Sequence, residues 1–219
     1  MNGGKRNADR TREKILRAAI GEFAAHGYSG ARIERIRARA RVNTRMIYHY
    51  FGDKSRLYVA VLEHVIGELR QEEMRLEIDR IDPVEGLLQL FEFVDQHFTE
   101  HPELMTLLSG ENLLRGRFLR GSAKTRIISS PLIALIDELL RRGEREGLIR
   151  AGIDPLHLYV VMVALCYFHR SNAHTLSFLF HTDLLDSDWQ SEHKEVVSDL
   201  LVGYLRTRRA APAPQPREK

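Results

Sequence analysis

The sequence predicts an all-α protein: an amino-terminal three-helix unit with a helix-turn-helix, followed by a larger helical body. Three observations carry this. Apolar residues recur at three- and four-residue spacing almost throughout. No alternating β-branched run is bounded by turn pairs. Helix starts are punctuated by Asp82-Pro83, His101-Pro102, Ser130-Pro131 and Asp154-Pro155, with proline at a first helical position. Glu85 completes something close to a capping box after Asp82, and Ser187 with Gln190 forms another. Gly27, Gly147 and Gly152 fit the left-handed position just after a helix.

The first helix is expected over 11–26, with Ile15, Leu16, Ala19, Ile20 and Phe23 on one face and Gly27 as its stop. A short helix over 33–40 turns Ile33, Ile36 and Ala40 inward. After a tight turn at Arg41-Val42, Asn43 caps a third helix that reaches about His49. A longer helix over 55–78 follows, then helices over 83–100, 102–113, 122–147 (either continuous or broken at Pro131), 155–181 and 188–208. The domains read as a flexible arm over 1–10, a helix-turn-helix unit over 11–54, a body over 55–209 and a disordered Pro-rich tail over 210–219. The helix from Ser55 has no linker before it, so it is expected to join unit and body rigidly.

Charge is distributed unevenly along the 219 residues. Thirteen basic and five acidic side chains lie between Met1 and Lys54, an excess of eight; the whole chain is +3, so the remainder carries −5. A basic end on an acidic body points to a polyanionic partner, although a solvated basic face would have the same composition. The one cysteine, Cys166, cannot form a disulfide within the chain, which fits a reducing compartment. The first residues contain no apolar run and no stretch is long enough to span a bilayer, so a cytoplasmic protein without a membrane partner is expected.

Two short helices joined by a turn, with a third packed across them, match the helix-turn-helix plan. The second short helix would enter the major groove of duplex DNA. Met46 and Ile47 can face inward, leaving Thr44, Arg45, Tyr48 and His49 for DNA beside the cap Asn43. Arginine can grip guanine through two hydrogen bonds. Arg32, at the start of the preceding helix, and Lys54, at the start of the following one, are placed for phosphates.

In the body, a ligand pocket would be mostly apolar with a few inward polar groups. Candidate wall residues are Phe91, Met105, Leu108, Met162, Cys166 and Phe168, with Asn112, Arg115 and Asn172 as orienting groups. The same apolar residues would serve equally as core, and the amides as satisfied structural groups. A dimer interface is expected from the last two helices, through Leu176, Phe180, Trp189, Val197, Leu200, Leu201 and Tyr204, forming a four-helix bundle with a second copy. Packing within the chain would use the same stripe. Ten histidines lack metal-ligand spacing, and there is no His-Glu-x-x-His, Cys-x-x-Cys, phosphate-cradling loop or Gly-x-Ser-x-Gly. No metal, no cofactor and no enzymatic activity are therefore expected. An all-α enzyme and a nucleoid-type architectural protein are the competing classes.

The run Ile47-Tyr-His-Tyr-Phe-Gly-Asp-Lys54, with Ile15-Leu-x-Ala-Ala-x-x-x-Phe23, His26-Gly-Tyr28 and Ile33-x-x-Ile36, resembles the DNA-binding unit of the tetracycline-repressor (TetR) family. The resemblance spans roughly residues 11–58. It implies a homodimeric regulator, most often a repressor, released from a palindromic operator by a small effector. It also implies that Thr44, Arg45, Tyr48 and His49 contact bases or backbone and Lys54 a phosphate. Two departures stand out. Arg41 occupies a turn position where the family usually has Gly, and Ala31-Arg32 replaces a Ser or Thr before the second helix. In the body, His101-Pro-Glu-Leu, Glu111-Asn-Leu, Arg115-Gly-Arg117 and Leu165-Cys-Tyr-Phe-His-Arg-Ser-Asn172 resemble the TetR subgroup that regulates aromatic-acid and nitrogen-heterocycle catabolism, including the nicotinate-degradation repressor. That resemblance implies an aromatic or heterocyclic acid as effector.

Overall fold

The computed structural model describes residues 3–206, without the side chains of residues 3–5 and 125–130. The tail expected over 210–219 lies outside the described residues. The described chain is helical with no strand: α1 (Gly3–Gly30), α2 (Ile33–Ala40), α3 (Thr44–Phe51), α4 (Lys54–Glu73), α5 (Pro83–Glu100), α6 (Pro102–Leu113), a 3-10 turn (Leu119–Gly121), α7 (Ala123–Arg145), α8 (Pro155–Ser171), α9 (Ala173–Phe180) and α10 (Ser187–Arg206). Two compact units form. The first contains residues up to 75 together with 94–132; the second contains 76–93 and the chain from 133 onward.

In the first unit α1 packs against α2, α4 and α6. Ile15, Leu16, Ala19 and Phe23 are buried on its inner face, as their spacing predicts. The helix starts at Gly3 rather than Thr11, so the expected arm is helical from Gly3; no proline interrupts this stretch, and Thr11 Oγ1 donates to the Asn7 carbonyl at 2.9 Å. Gly27 breaks the helix with φ 62° and ψ 177°, a conformation open essentially to glycine alone. Glu22, buried on α1, accepts from the Arg32 N–H at 2.9 Å and from Arg35 Nε at 2.6 Å. This carboxylate takes the α2 amino end in place of the missing hydroxyl. Burial alone would raise its pKa, but these two donors and the nearby charges of Arg35 and His26 hold it below the usual value.

The turn after α2 is left-handed at Arg41, with φ 54° and ψ 47°. A non-glycine residue there costs roughly 1 kcal/mol. The chain accepts that cost, and the N–H groups of Arg41 and Val42 close the helix on the carbonyls of Ala38 and Arg37. Asn43 Oδ1 then accepts from the Met46 N–H, and Asp53 Oδ1 from the Arg56 N–H, capping α3 and α4.

Within the second unit, Asp82 Oδ1 accepts from the N–H groups of Val84 and Glu85, and Asp154 Oδ1 from that of His157, so both Asp-Pro starts behave as read. Ser130-Pro131 does not begin a helix, because Pro131 lies inside α7. Ser187 does not cap α10 either: Asp186 Oδ1 takes the N–H groups of Asp188 and Trp189. The helix expected over 55–78 stops at Glu73, and Ile78 beyond it is fully buried, its main-chain oxygen in line for a close approach by Gly86. The helix expected over 155–181 divides at Asn172, whose amide donates to the Phe168 carbonyl and Ser171 Oγ at 2.9 Å each. Such side-chain bonds compete with the helical ladder.

Candidate nucleic-acid interface

Helix α3 holds its place through Ile47 and Phe51, 1% and 6% exposed, with Met46 and Tyr50 half-buried. The remaining edge faces outward. Arg45, Tyr48 and His49 are exposed and Thr44 is half-buried at the amino end, beside the exposed cap Asn43. His49 sits edge-on to Tyr50, with ring centroids 5.2 Å apart. Arg32 is exposed at the amino end of α2, and its side chain makes no cap. Lys54 is held at the start of α4, its Nζ 3.5 Å from the Ser29 carbonyl and 4.9 Å above the Tyr28 ring. Cations therefore mark the beginnings of α2 and α4, and α3 offers a donor-bearing edge eight residues long.

Behind this edge lies an aromatic cluster that sequence reasoning missed. Tyr58 of α4 meets Phe23 edge-on at 4.9 Å, and Phe118, just after α6, lies 4.4 Å from Tyr28 and 5.0 Å from Tyr58. Tyr28 also shares a 2.7 Å hydrogen bond with Ser55. Glu111, buried at the end of α6, fixes the Phe118 segment: its Oε1 accepts from the N–H groups of Phe118 at 2.7 Å and Leu119 at 3.0 Å. Burial, with the charge of Glu111 adding to it, pushes the Tyr58 pKa up to about 12. Glu111 shares the apolar register of Leu104 and Leu107, and that signal was legible. Nearby in the same unit, buried His97 lies 3.2 Å from Glu72 Oε2 and 4.4 Å from the His101 ring. Burial, then the neighbouring His101, lowers its pKa despite Glu72.

The body residues divide differently from expectation. In the second unit Phe91, Met162 and Cys166 are buried, with Cys166 Sγ 4.0 Å from the Phe91 carbonyl. Met105 and Leu108 are half-buried on α6 in the first unit. The polar groups expected to face inward do not. Asn112 and Asn172 are exposed, and Arg115 is exposed in the left-handed turn that closes α6, at φ 56°. Phe168 is also exposed, at 60%. A residue just past a helix end serves the local turn before any cavity, and this displaces Arg115 and Asn172. Of the interface candidates, Val197 and Leu201 are buried within their own chain, which corrects their assignment to the partner-facing side. Phe180, Leu200 and Tyr204 are exposed, and Leu176 and Trp189 are half-buried, Trp189 stacked on His193 at 4.9 Å. Phe178 and Leu179 of α9 and Val196 of α10 belong to the same outward apolar set, and Leu156, Val160 and Val161 of α8, which sequence reasoning missed, extend it.

Known proteins match along the same divisions. A model of the tetR-family bacterial regulatory proteins covers residues 15–61, and a tetracyclin repressor-like C-terminal domain model covers residues 83–201. The chain belongs to the TetR family. The HTH-type transcriptional repressor NicS of Pseudomonas putida is 39% identical over 91% of this chain and 94% of its own. The HTH-type transcriptional repressor SCO4008 of Streptomyces coelicolor is 34% identical over 73% of this chain and 78% of its own. Among solved structures, the fatty acid degradation regulator FadR of Bacillus halodurans superposes with a TM-score of 0.67 at 20% identity, covering 90% of this chain and 97% of that one, and shares the fold. The resemblance drawn from the Ile47–Lys54 run is thus confirmed, and this TetR protein is a transcriptional regulator rather than an enzyme. Among the described residues, no helix is long and apolar enough to cross a membrane.

Proposed function

We propose that this TetR regulator is a cytoplasmic homodimeric repressor that binds a palindromic operator and leaves it when a small aromatic or heterocyclic acid binds. The observation that carries the reading is α3: two apolar anchors hold it while Arg45, Tyr48 and His49 stay exposed beside Thr44. That arrangement suits the major groove, with Arg45 reading a guanine and Arg32 and Lys54 on flanking phosphates. Twofold pairing is supported by the exposed apolar residues of α8 and α10, since soluble monomers rarely leave a large apolar patch uncovered. The effector class rests on the similarity to NicS and on the sequence motifs shared with its subgroup.

Release works through spacing. Two recognition helices must sit about 34–36 Å apart to enter successive major grooves. Within the first unit, Phe118 follows α6 and packs on Tyr58 of α4 and Tyr28 beside the helix-turn-helix. An effector that displaces the end of α6 moves α4, and with it α3. Effector and DNA then favour different states of one molecule.

The test is a mobility shift on a promoter fragment from the protein's own locus, with unrelated DNA as competitor and with aromatic and heterocyclic acids added singly. A specific shift reversed by one acid supports the reading. Equal binding to all sequences points to an architectural protein. An operator affinity that no acid changes removes the effector part.

A further inference from the structure

An open cleft of about 400 Å³ lies between α1 and the carboxyl end of α2, lined by Lys14, Arg17, Ala18, Arg39, Ala40 and Arg41. Four of the six residues are cationic. Among the described residues, the side chains of Lys14, Arg39 and Arg41 have no carboxylate or hydrogen-bonding partner; Arg17 pairs with Glu13 on its own helix. The floor is two alanines, which offer neither stacking surface nor base-reading groups.

Two local costs keep these cations in place. Arg41 occupies a left-handed backbone position, φ 54°, where glycine would be unstrained. Gly21 sits inside α1, where glycine is less favourable than alanine. A Cβ there would lie 2.6 Å from Arg39 Nη1, so the guanidinium lies directly over Gly21. Backbone strain of this kind concentrates where function requires it.

Position indicates the ligand. Arg41 lies two residues before Asn43, the cap of α3. The cleft and Arg32 occupy opposite ends of α2, whose eight residues span about 12 Å, close to the width of the DNA major groove. We propose that this cleft is a second phosphate-binding site, holding the DNA backbone across the groove from the strand touched at Arg32. The proposal rests on the reading that α3 enters that groove. It extends the interface to residues of α1 and to the end of α2. Guanidinium groups take phosphate oxygens in pairs, and lysine adds a point charge, so the site strengthens binding without reading sequence.

The experiment measures operator affinity against salt for the full-length wild type, Lys14→Ala/Arg39→Ala and Arg41→Gly, with thermal melts as folding controls. Arg41→Gly relieves strain and serves if the double variant fails to fold. Each lost phosphate contact should flatten the log–log slope by about 0.9 per protomer, hence about 1.8 for the double variant and 0.9 for Arg41→Gly, with base preference unchanged. Wild-type slopes in the folded variants overturn the cleft while leaving the operator reading intact. A wild type that binds no DNA overturns both. Inorganic phosphate at fixed ionic strength, without DNA, is the remaining arm: melting stabilised in the wild type but not in the double variant, together with wild-type salt slopes in both variants, assigns the cleft to a free anion and overturns the DNA assignment.

Discussion

Helices α3 and α10 share one construction but leave chemically opposite edges free. Each buries one apolar edge in its own unit and leaves the other uncovered. On α3 the uncovered edge is Arg45, Tyr48 and His49; on α10 it is Val196, Leu200 and Tyr204, four residues apart. Arg45 and His49 can meet a polyanion without being desolvated from a buried pair. Val196 and Leu200 gain free energy only when another apolar surface covers them, at roughly 25 cal/mol per Å². On the proposed function, the chemistry of the free edge, not the packing behind it, separates the helix that meets DNA from the one that meets a second copy.

The most severe way to break this comparison is to put a charge on each edge of α10. Val197→Asp places an unpaired carboxylate at a position 1% exposed and should unfold the protein, read as loss of the cooperative melt. Leu200→Asp alters only the outer edge, so the protomer should stay folded while sedimentation shows a monomer and operator affinity falls by at least 100-fold. A folded Leu200→Asp dimer would mean that the outer edge of α10 is not the pairing surface.

On α3, Arg45→Ala should cost about 1–3 kcal/mol of discrimination against the wrong base, measured across a set of operator variants. Lys54→Ala should weaken all sequences alike and flatten the salt slope by about 0.9 per protomer. If Lys54→Ala changed which bases are preferred, the division between reading and anchoring would be wrong.

Acid sharpens the contrast from the side of the hydrogen-bonded end. The lowered pKa of Glu22 means that the unfolded chain takes up its proton first as pH falls. Its stabilisation is therefore present above the unfolded value of 4.5 and is lost as pH falls through the folded one. Melts from pH 6 to pH 3 should show the wild type losing its advantage over Glu22→Gln; a constant gap would remove the carboxylate from the account. The smallest effect is Arg41→Gly, which should raise stability by roughly 1 kcal/mol and the melting temperature by about 2–4 °C.

Much of α3 was legible because the information is local. Asn43, the Ile47–Phe51 spacing and the Lys54 start lie within a dozen residues, and a helical wheel places the exposed edge without knowing what covers the other. The same wheel failed on α10. Val197 and Leu201 share one apolar stripe with Val196 and Leu200, and a broad stripe does not say which part faces its own chain. Asn112, Arg115 and Asn172 failed for a related reason: polarity next to an apolar run marks a helix end as readily as a pocket.

By itself the sequence determined the helical periods, the Asp caps at 82 and 154, the positive-φ glycines at 27, 147 and 152, and the exposed edge of α3. These depend on contacts between residues a few positions apart, where chain geometry leaves little choice. Only the tertiary structure decided which half of each apolar stripe is buried, and that Phe118 packs on Tyr58 with the Glu111 charge nearby. Those outcomes depend on residues tens of positions apart, and their energies do not exist until the helices have packed.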